Sequence, residues 1–181
     1  MLGDRGINGQ LRWIIAKENP PSIAYVCLAA IAALASYLIA TLFRLPEAYW
    51  APMSTLIVMQ LTFSAALPVA VQYVAGTATG AAVGAVTDAY VHGSVWAFAA
   101  AVIFIGFLCV ALRVERSSFR YASITLVIVM LVPRSTSARL VALHRFLEVS
   151  IGIAVGLALF AIWQKVAVRL SVKTTEVSSL R

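Results

Sequence analysis

Apolar positions in this chain come in long blocks separated by short polar stretches. Between Glu47 and Asp88 there is no charged residue at all. Such a run is too long for one helix and too apolar for a soluble domain. Six blocks approach the length of about 17–25 residues that a bilayer-spanning helix needs. They are Ser22–Phe43, Ala48–Ala66, Val69–Thr87, Ser94–Leu112, Phe119–Pro133 and Phe146–Gln164. The fifth is short and spans if Arg116 and Arg120 extend to the interface. Pro68 is expected in the first turn of the third, where its missing N–H costs little. The pattern predicts an all-α integral membrane bundle of about six helices.

Composition agrees. The 181 residues are 62% hydrophobic and 12% charged, with a mean hydropathy of +0.94. A soluble domain averages about 45–50% apolar and about 25% charged residues. Residues 1–21 are expected to be a cytoplasmic segment rather than a cleaved signal, with Gly9–Lys17 as an interfacial helix. Residues 22–165 form the six-span domain, and 166–181 a cytoplasmic tail. Cys27 and Cys109 read as small buried apolar side chains.

Charge sets the expected orientation. With the N-terminus inside, Arg5, Arg12, Lys17, Arg113, Arg116, Arg120, Lys165, Arg169, Lys173 and Arg181 are cytoplasmic, ten of fourteen basic residues. Arg44, Arg134, Arg139 and Arg145 remain outside. The bias of basic residues towards cytoplasmic loops places both termini in the cytoplasm of a bacterial-type inner membrane. The net charge of +7 is explained by this asymmetry and by anionic lipid. Scattered over loops, these residues make no nucleic-acid surface.

Two halves are expected, as a 3+3 inverted repeat. A shift of 72 aligns Ser22 with Ser94, Arg44 with Arg116 and Tyr49 with Tyr121, and Gly76-x-x-x-Gly80 matches Gly152-x-x-x-Gly156. An odd number of spans per half inserts the halves in opposite orientations, which gives transporters two interconvertible faces.

Four motifs in order resemble the fusaric acid resistance protein-like family, related to the aromatic acid exporters, over roughly residues 25–165. They are YWAPMSTLIVMQLT (49–62), YVAGTATGAAVGA (73–85), RYASITLVIV (120–129) and RFLEVSIGIAVG (145–156). The chain departs from the family at Tyr73, beside Gln72, where the family usually carries an arginine three residues before Gly-Thr. The resemblance implies proton-driven export of aromatic carboxylic acids and similar compounds. Larger members carry more spans and a cytoplasmic domain, and this chain is expected to hold a single six-span module.

Individual residues leave alternatives open. Gly76, Gly80 and Gly84 share one helix face, and Gly152 and Gly156 offer a second, for close packing or for sliding. Gln60 costs a few kcal/mol in hydrocarbon if unpaired, so it is expected to face the bundle as packing glue or as a substrate contact. Tyr49 and Trp50 suit an interfacial aromatic belt. Glu148 pairs with Arg145 on one helix face or is the protonatable group, with Asp88 the second choice. An outer cluster of Arg134, Arg139 and Arg145 either binds a carboxylate or is solvated.

No enzyme motif, metal-ligand spacing or phosphate loop is present, so neither catalysis nor a cofactor is expected. The expected partners are membrane lipids, a small aromatic acid and further copies of the chain. The expected function is export. The alternative is a non-transporting membrane subunit that stabilises another protein. A polar cavity lined by Gln60, Thr62, Gln72 and Glu148 would favour export, and an exposed Gly76/Gly80 groove the alternative.

Overall fold

The computed structural model describes residues 22–60, 62–132 and 136–179, with side chains as far as Val166. The expected helix at Gly9–Lys17 and Arg134 lie outside the described residues. Six helices follow in order: α1 (Ile23–Leu42), α2 (Trp50–Val58), α3 (Phe63–Tyr90), α4 (Val95–Ala111), α5 (Arg116–Leu131) and α6 (Ala138–Ser179). By length and composition α1, α3 and Ala138–Val166 of α6 can each cross a membrane, and α4 is a shorter apolar helix. The outward faces stay apolar, with Ile31, Leu34, Leu38, Phe104 and Phe107 all exposed. This is the surface that lipid covers, and the chain is an all-α membrane bundle.

Local chemistry sets the helix starts. Ser22, Thr62 and Ser94 are extended N-caps whose hydroxyls accept from the amides of Tyr25, Ala65 and Ala97. The second block is not one helix, contrary to expectation. The chain leaves helical conformation at Met59 (φ −64°, ψ 116°) and re-enters it after Thr62 (φ −133°, ψ 150°). At about 1.5 Å per residue, α2 alone is far shorter than the ~30 Å core. The Met59 carbonyl freed by the break accepts from the Tyr25 hydroxyl at 3.1 Å. Pro68 is therefore the sixth residue of α3, inside the helix, and removes a backbone bond to the Ser64 carbonyl.

Side-chain contacts give the directions. Trp50 meets Arg145, while Met59 and Phe63 share a cluster with Leu28 and Phe160. Thus α2 and the break together run the same way as α6 from one face of the bundle to the other. Tyr73 clusters with Val149, and Ala81 with Val141 and Ala142, so α3 runs antiparallel to α6. Helices therefore alternate in direction. The start of α1, the break at Met59 and the α4–α5 turn lie at one face, here the terminal face. The α1–α2, α3–α4 and α5–α6 connections lie at the far face.

Two parallel pairs hold the middle. An added Cβ at Gly80 would strike the Ala122 carbonyl oxygen of α5, and one at Gly152 the Ala51 carbonyl oxygen of α2. Backbones can approach this closely only where a helix carries no side chain. Thr55 adds a bond of 2.8 Å from its hydroxyl to the Gly152 carbonyl.

These pairs are images of each other. Exchanging α1 with α4, α2 with α5 and α3 with α6 maps every packed pair onto a packed pair. The α1–α2, α1–α6, α2–α6 and α2–α3 contacts become α4–α5, α4–α3, α5–α3 and α5–α6, and α3–α6 maps onto itself. Gly80 on Ala122 and Gly84 on Leu126 correspond to Gly152 on Ala51 and Gly156 on Thr55. The offset is 72 residues between α3 and α6 and 71 between α2 and α5. Helices α1 and α4 end alike, each with a left-handed arginine, Arg44 (φ 54°) and Arg113 (φ 51°). In each, the next residue (Leu45, Val114) bonds back to a carbonyl five residues earlier (Ala40, Cys109). The expected pairings Arg44 with Arg116 and Tyr49 with Tyr121 are thus corrected to Arg44 with Arg113 and Trp50 with Tyr121, because each connection differs in length.

Candidate functional site

The sixth helix begins at Ala138, two turns earlier than the sequence pattern indicates, and so carries Arg145 and Glu148 into the bundle. Spaced at i and i+3, they lie on the face that Gly152 continues towards α2. Arg145 is 2% exposed and Glu148 1%. Arg145 is thus part of the bundle rather than an outer-loop residue, and Glu148 on the same helix face acts on it electrostatically. The Arg145 guanidinium lies over the Trp50 ring, 3.8 Å from its centroid. Glu148 Oε1 accepts from the Glu47 backbone N–H at 3.0 Å. The Trp50 indole N–H donates to Glu47 Oε2 at 2.8 Å. Trp50, half-buried, is thus a platform for a buried cation, whereas Tyr49 beside it stays exposed.

Tyr73 closes the site from α3. It is 3% exposed, its hydroxyl accepts from Ser54 Oγ at 3.3 Å, and its side chain hydrogen-bonds Arg145, on which the charges of Glu148 and Glu47 also act. Arg145 Nε and Nη1 are buried and have no hydrogen-bond partner among the described residues. An unsatisfied buried charged donor is expensive. Arg145 and the two neighbouring acidic residues line a cavity of about 110 Å³. Its walls include Pro46, Thr136, Val141 and His144 besides Glu47, Arg145 and Glu148. At ~30 Å³ per water the space suits a few waters or one carboxylate group, and it is below the ~300 Å³ of an ordinary ligand pocket.

Other expected site residues lie elsewhere. Gln60 Nε2 donates to the Ile57 carbonyl at 3.2 Å, which trims the end of its own helix at the terminal face instead of bridging to another. Gln72 Nε2 donates to Glu115 Oε2 at 2.8 Å, also towards that face. Asp88 faces His92 at 3.3 Å near the far end of α3. A cavity shared by Gln60, Thr62, Gln72 and Glu148 is therefore not formed. Gly76, Gly80 and Gly84 are covered by α5, so they are no open groove. Arg139 is exposed in the first turn of α6, and Cys27 is exposed rather than buried. Glu47 and Tyr73 are the site members that the sequence pattern did not assign.

Residues 31–159, more than two thirds of the chain, match the fusaric acid resistance protein-like family. The chain belongs to that family. The match contains every residue of the Arg145 site and reaches from α1 to α6, so it takes in most of both halves of the repeat. It supports a transporter-like role in resistance or efflux. No curated protein and no solved structure matches the chain.

Proposed function

We propose that the chain exports aromatic carboxylic acids across a bacterial-type inner membrane, coupled to protons, with both termini cytoplasmic and several copies assembled together. The observation that carries this reading is Arg145: a cation sealed in the bundle, with two unpartnered donors, on a residue that lines a small cavity. Guanidinium donors recognise carboxylates. A carboxylate arriving there meets Glu47 and Glu148, and like charges at short range cannot all stay ionised, so its binding is tied to proton occupancy. Glu148 is the buried member and the coupling group.

Position within the fold supports the same reading. Tyr73 and Arg145 are repeat-related and flank the α3–α6 contact, so the site lies at the pseudo-two-fold axis. Inverted-repeat transporters hold their cargo there, beside short or broken helices in corresponding places of the two halves. Here α2 is nine residues and α5 sixteen.

The test is uptake of labelled hydroxybenzoate into proteoliposomes under pH gradients of either sign. The parent chain should show gradient-dependent uptake that Glu148→Gln uncouples and Arg145→Met abolishes. Folded protein that moves no member of a panel of aromatic acids would favour the accessory-subunit reading instead.

A further inference from the structure

A groove of about 560 Å³ runs between α4 and α5 at the terminal face, remote from Arg145. Ile103, Phe107, Val110 and Phe119 wall it, Gly106 opens it, and Arg113 and Arg116 stand at its end. From Ile103 to its end at Ala111 α4 rises ~12 Å, close to half of the ~30 Å hydrocarbon core. The groove is therefore nearly as long as one leaflet is thick, and its two cations lie at the end of that length.

The charged end is unusually ready for an anion. Glu115, the N-cap of α5, spends its side chain on Gln72 and makes no cap bond to its own helix. The first-turn amides of α5 thus lack a side-chain acceptor beside two arginines, and a helix N-terminus favours negative charge. Neither Arg113 nor Arg116 has an ion-pair partner among the described residues. The groove between α3 and α4, lined by residues such as Val83, Val86 and Phe104, carries no cation.

The repeat shows that the feature belongs to one half only. Counting back seven residues from each left-handed arginine pairs Gly106 with Tyr37, and the 71-residue offset of α2 and α5 pairs Arg116 with Leu45. The far-face counterpart thus carries a ring where α4 has none and lacks the second cation.

We propose that the α4–α5 groove binds one anionic phospholipid, with an acyl chain along Ile103, Gly106, Phe107 and Val110 and the phosphate between Arg113, Arg116 and the start of α5. The test is native mass spectrometry of the purified full chain with phosphatidylglycerol and phosphatidylcholine of identical acyl chains. Phosphatidylglycerol should be retained preferentially, and each of Arg113→Gln and Arg116→Gln should weaken retention about 5-fold. Gly106→Phe keeps both arginines but fills the groove and should also abolish retention. Gly106→Ala adds a Cβ that meets only Phe119 Cε2, at 3.5 Å, and serves as the folded control that still binds. Arg44→Gln at the far face should leave retention unchanged. Equal retention of the two lipids, or phosphatidylglycerol kept by Gly106→Phe, overturns the proposal. So does complete displacement of the lipid by inorganic phosphate, which would mark a small-anion site.

Discussion

Tyr73 and Arg145 occupy the same place in the two halves of this fold. Each rests on an aromatic ring of the short helix beside it: Tyr73 on Tyr121 with ring centroids 4.2 Å apart, Arg145 on Trp50 with its Cζ 3.8 Å from the centroid. The frame is symmetric and the charge is not. The repeat-related places of Glu148 and Glu47 are Gly76 and Ser118, so both carboxylates sit with the arginine. One polar centre, loaded on one side, results from two copies of a three-helix unit.

The glycine contacts predict a graded response. Gly80→Ala and Gly152→Ala place a methyl against a backbone carbonyl that cannot rotate away, so each should destabilise by about 1–3 kcal/mol. At Gly156 the nearest atom is the Thr55 methyl carbon at 3.3 Å, which has room to give. Gly156→Ala should therefore cost clearly less. Thermal unfolding of the three variants in one detergent checks the order, and equal losses would refute the assigned contacts.

Trp50 supports the site in two separable ways. Trp50→Phe keeps a ring face beneath Arg145 but loses the indole bond to Glu47, and should cost about 1 kcal/mol. Trp50→Leu also removes the cation–π contact, worth about 2 kcal/mol when desolvated, and should cost correspondingly more. The difference between the two unfolding free energies measures the stacking directly.

Much of this was legible in the chain. Helices α1 and α4 match the apolar blocks within a residue or two because Ser22 and Ser94 cap uniform apolar runs. The break after Val58 was not, since Met59–Thr62 holds neither glycine nor proline. What ends α2 there is tertiary, the Tyr25 hydroxyl taking the Met59 carbonyl from a different helix. The sequence pattern leaves Arg145 outside the span for a related reason: hydropathy trims a span at its first charge, and the compensation from Trp50, Glu47 and Tyr73 comes from remote sequence. The repeat was visible in its glycines, but its register along α2 and α5 needed the contacts.

Alternating directions predict a labelling pattern. In a background with Cys27→Ala and Cys109→Ala, single cysteines at Ser94 and Ser137 should react with a membrane-impermeant thiol reagent from one side only. A cysteine at Glu115 should react only from the other. Ser94 and Ser137 labelling from opposite sides would mean that α5 does not cross, and the inverted repeat would fall with it.

Tyr73→Phe and Tyr73→Arg probe the axis from opposite directions. The first keeps the stack on Tyr121, loses the hydroxyl that meets Ser54, and should cost about 1 kcal/mol. The second puts a guanidinium on Tyr121 as Arg145 sits on Trp50, but with Gly76 and Ser118 where Arg145 has Glu148 and Glu47. A buried cation without a partner costs about 3–5 kcal/mol, so Tyr73→Arg should unfold at a lower temperature than the parent. A carboxylate that reaches the axis would supply the missing charge. Added hydroxybenzoate should therefore raise the unfolding temperature of Tyr73→Arg by more than it raises that of the parent. Equal stability of the two without any anion would show that position 73 is not the buried counterpart of Arg145. A destabilised variant that hydroxybenzoate leaves unchanged would show that the acid does not reach the centre of the fold.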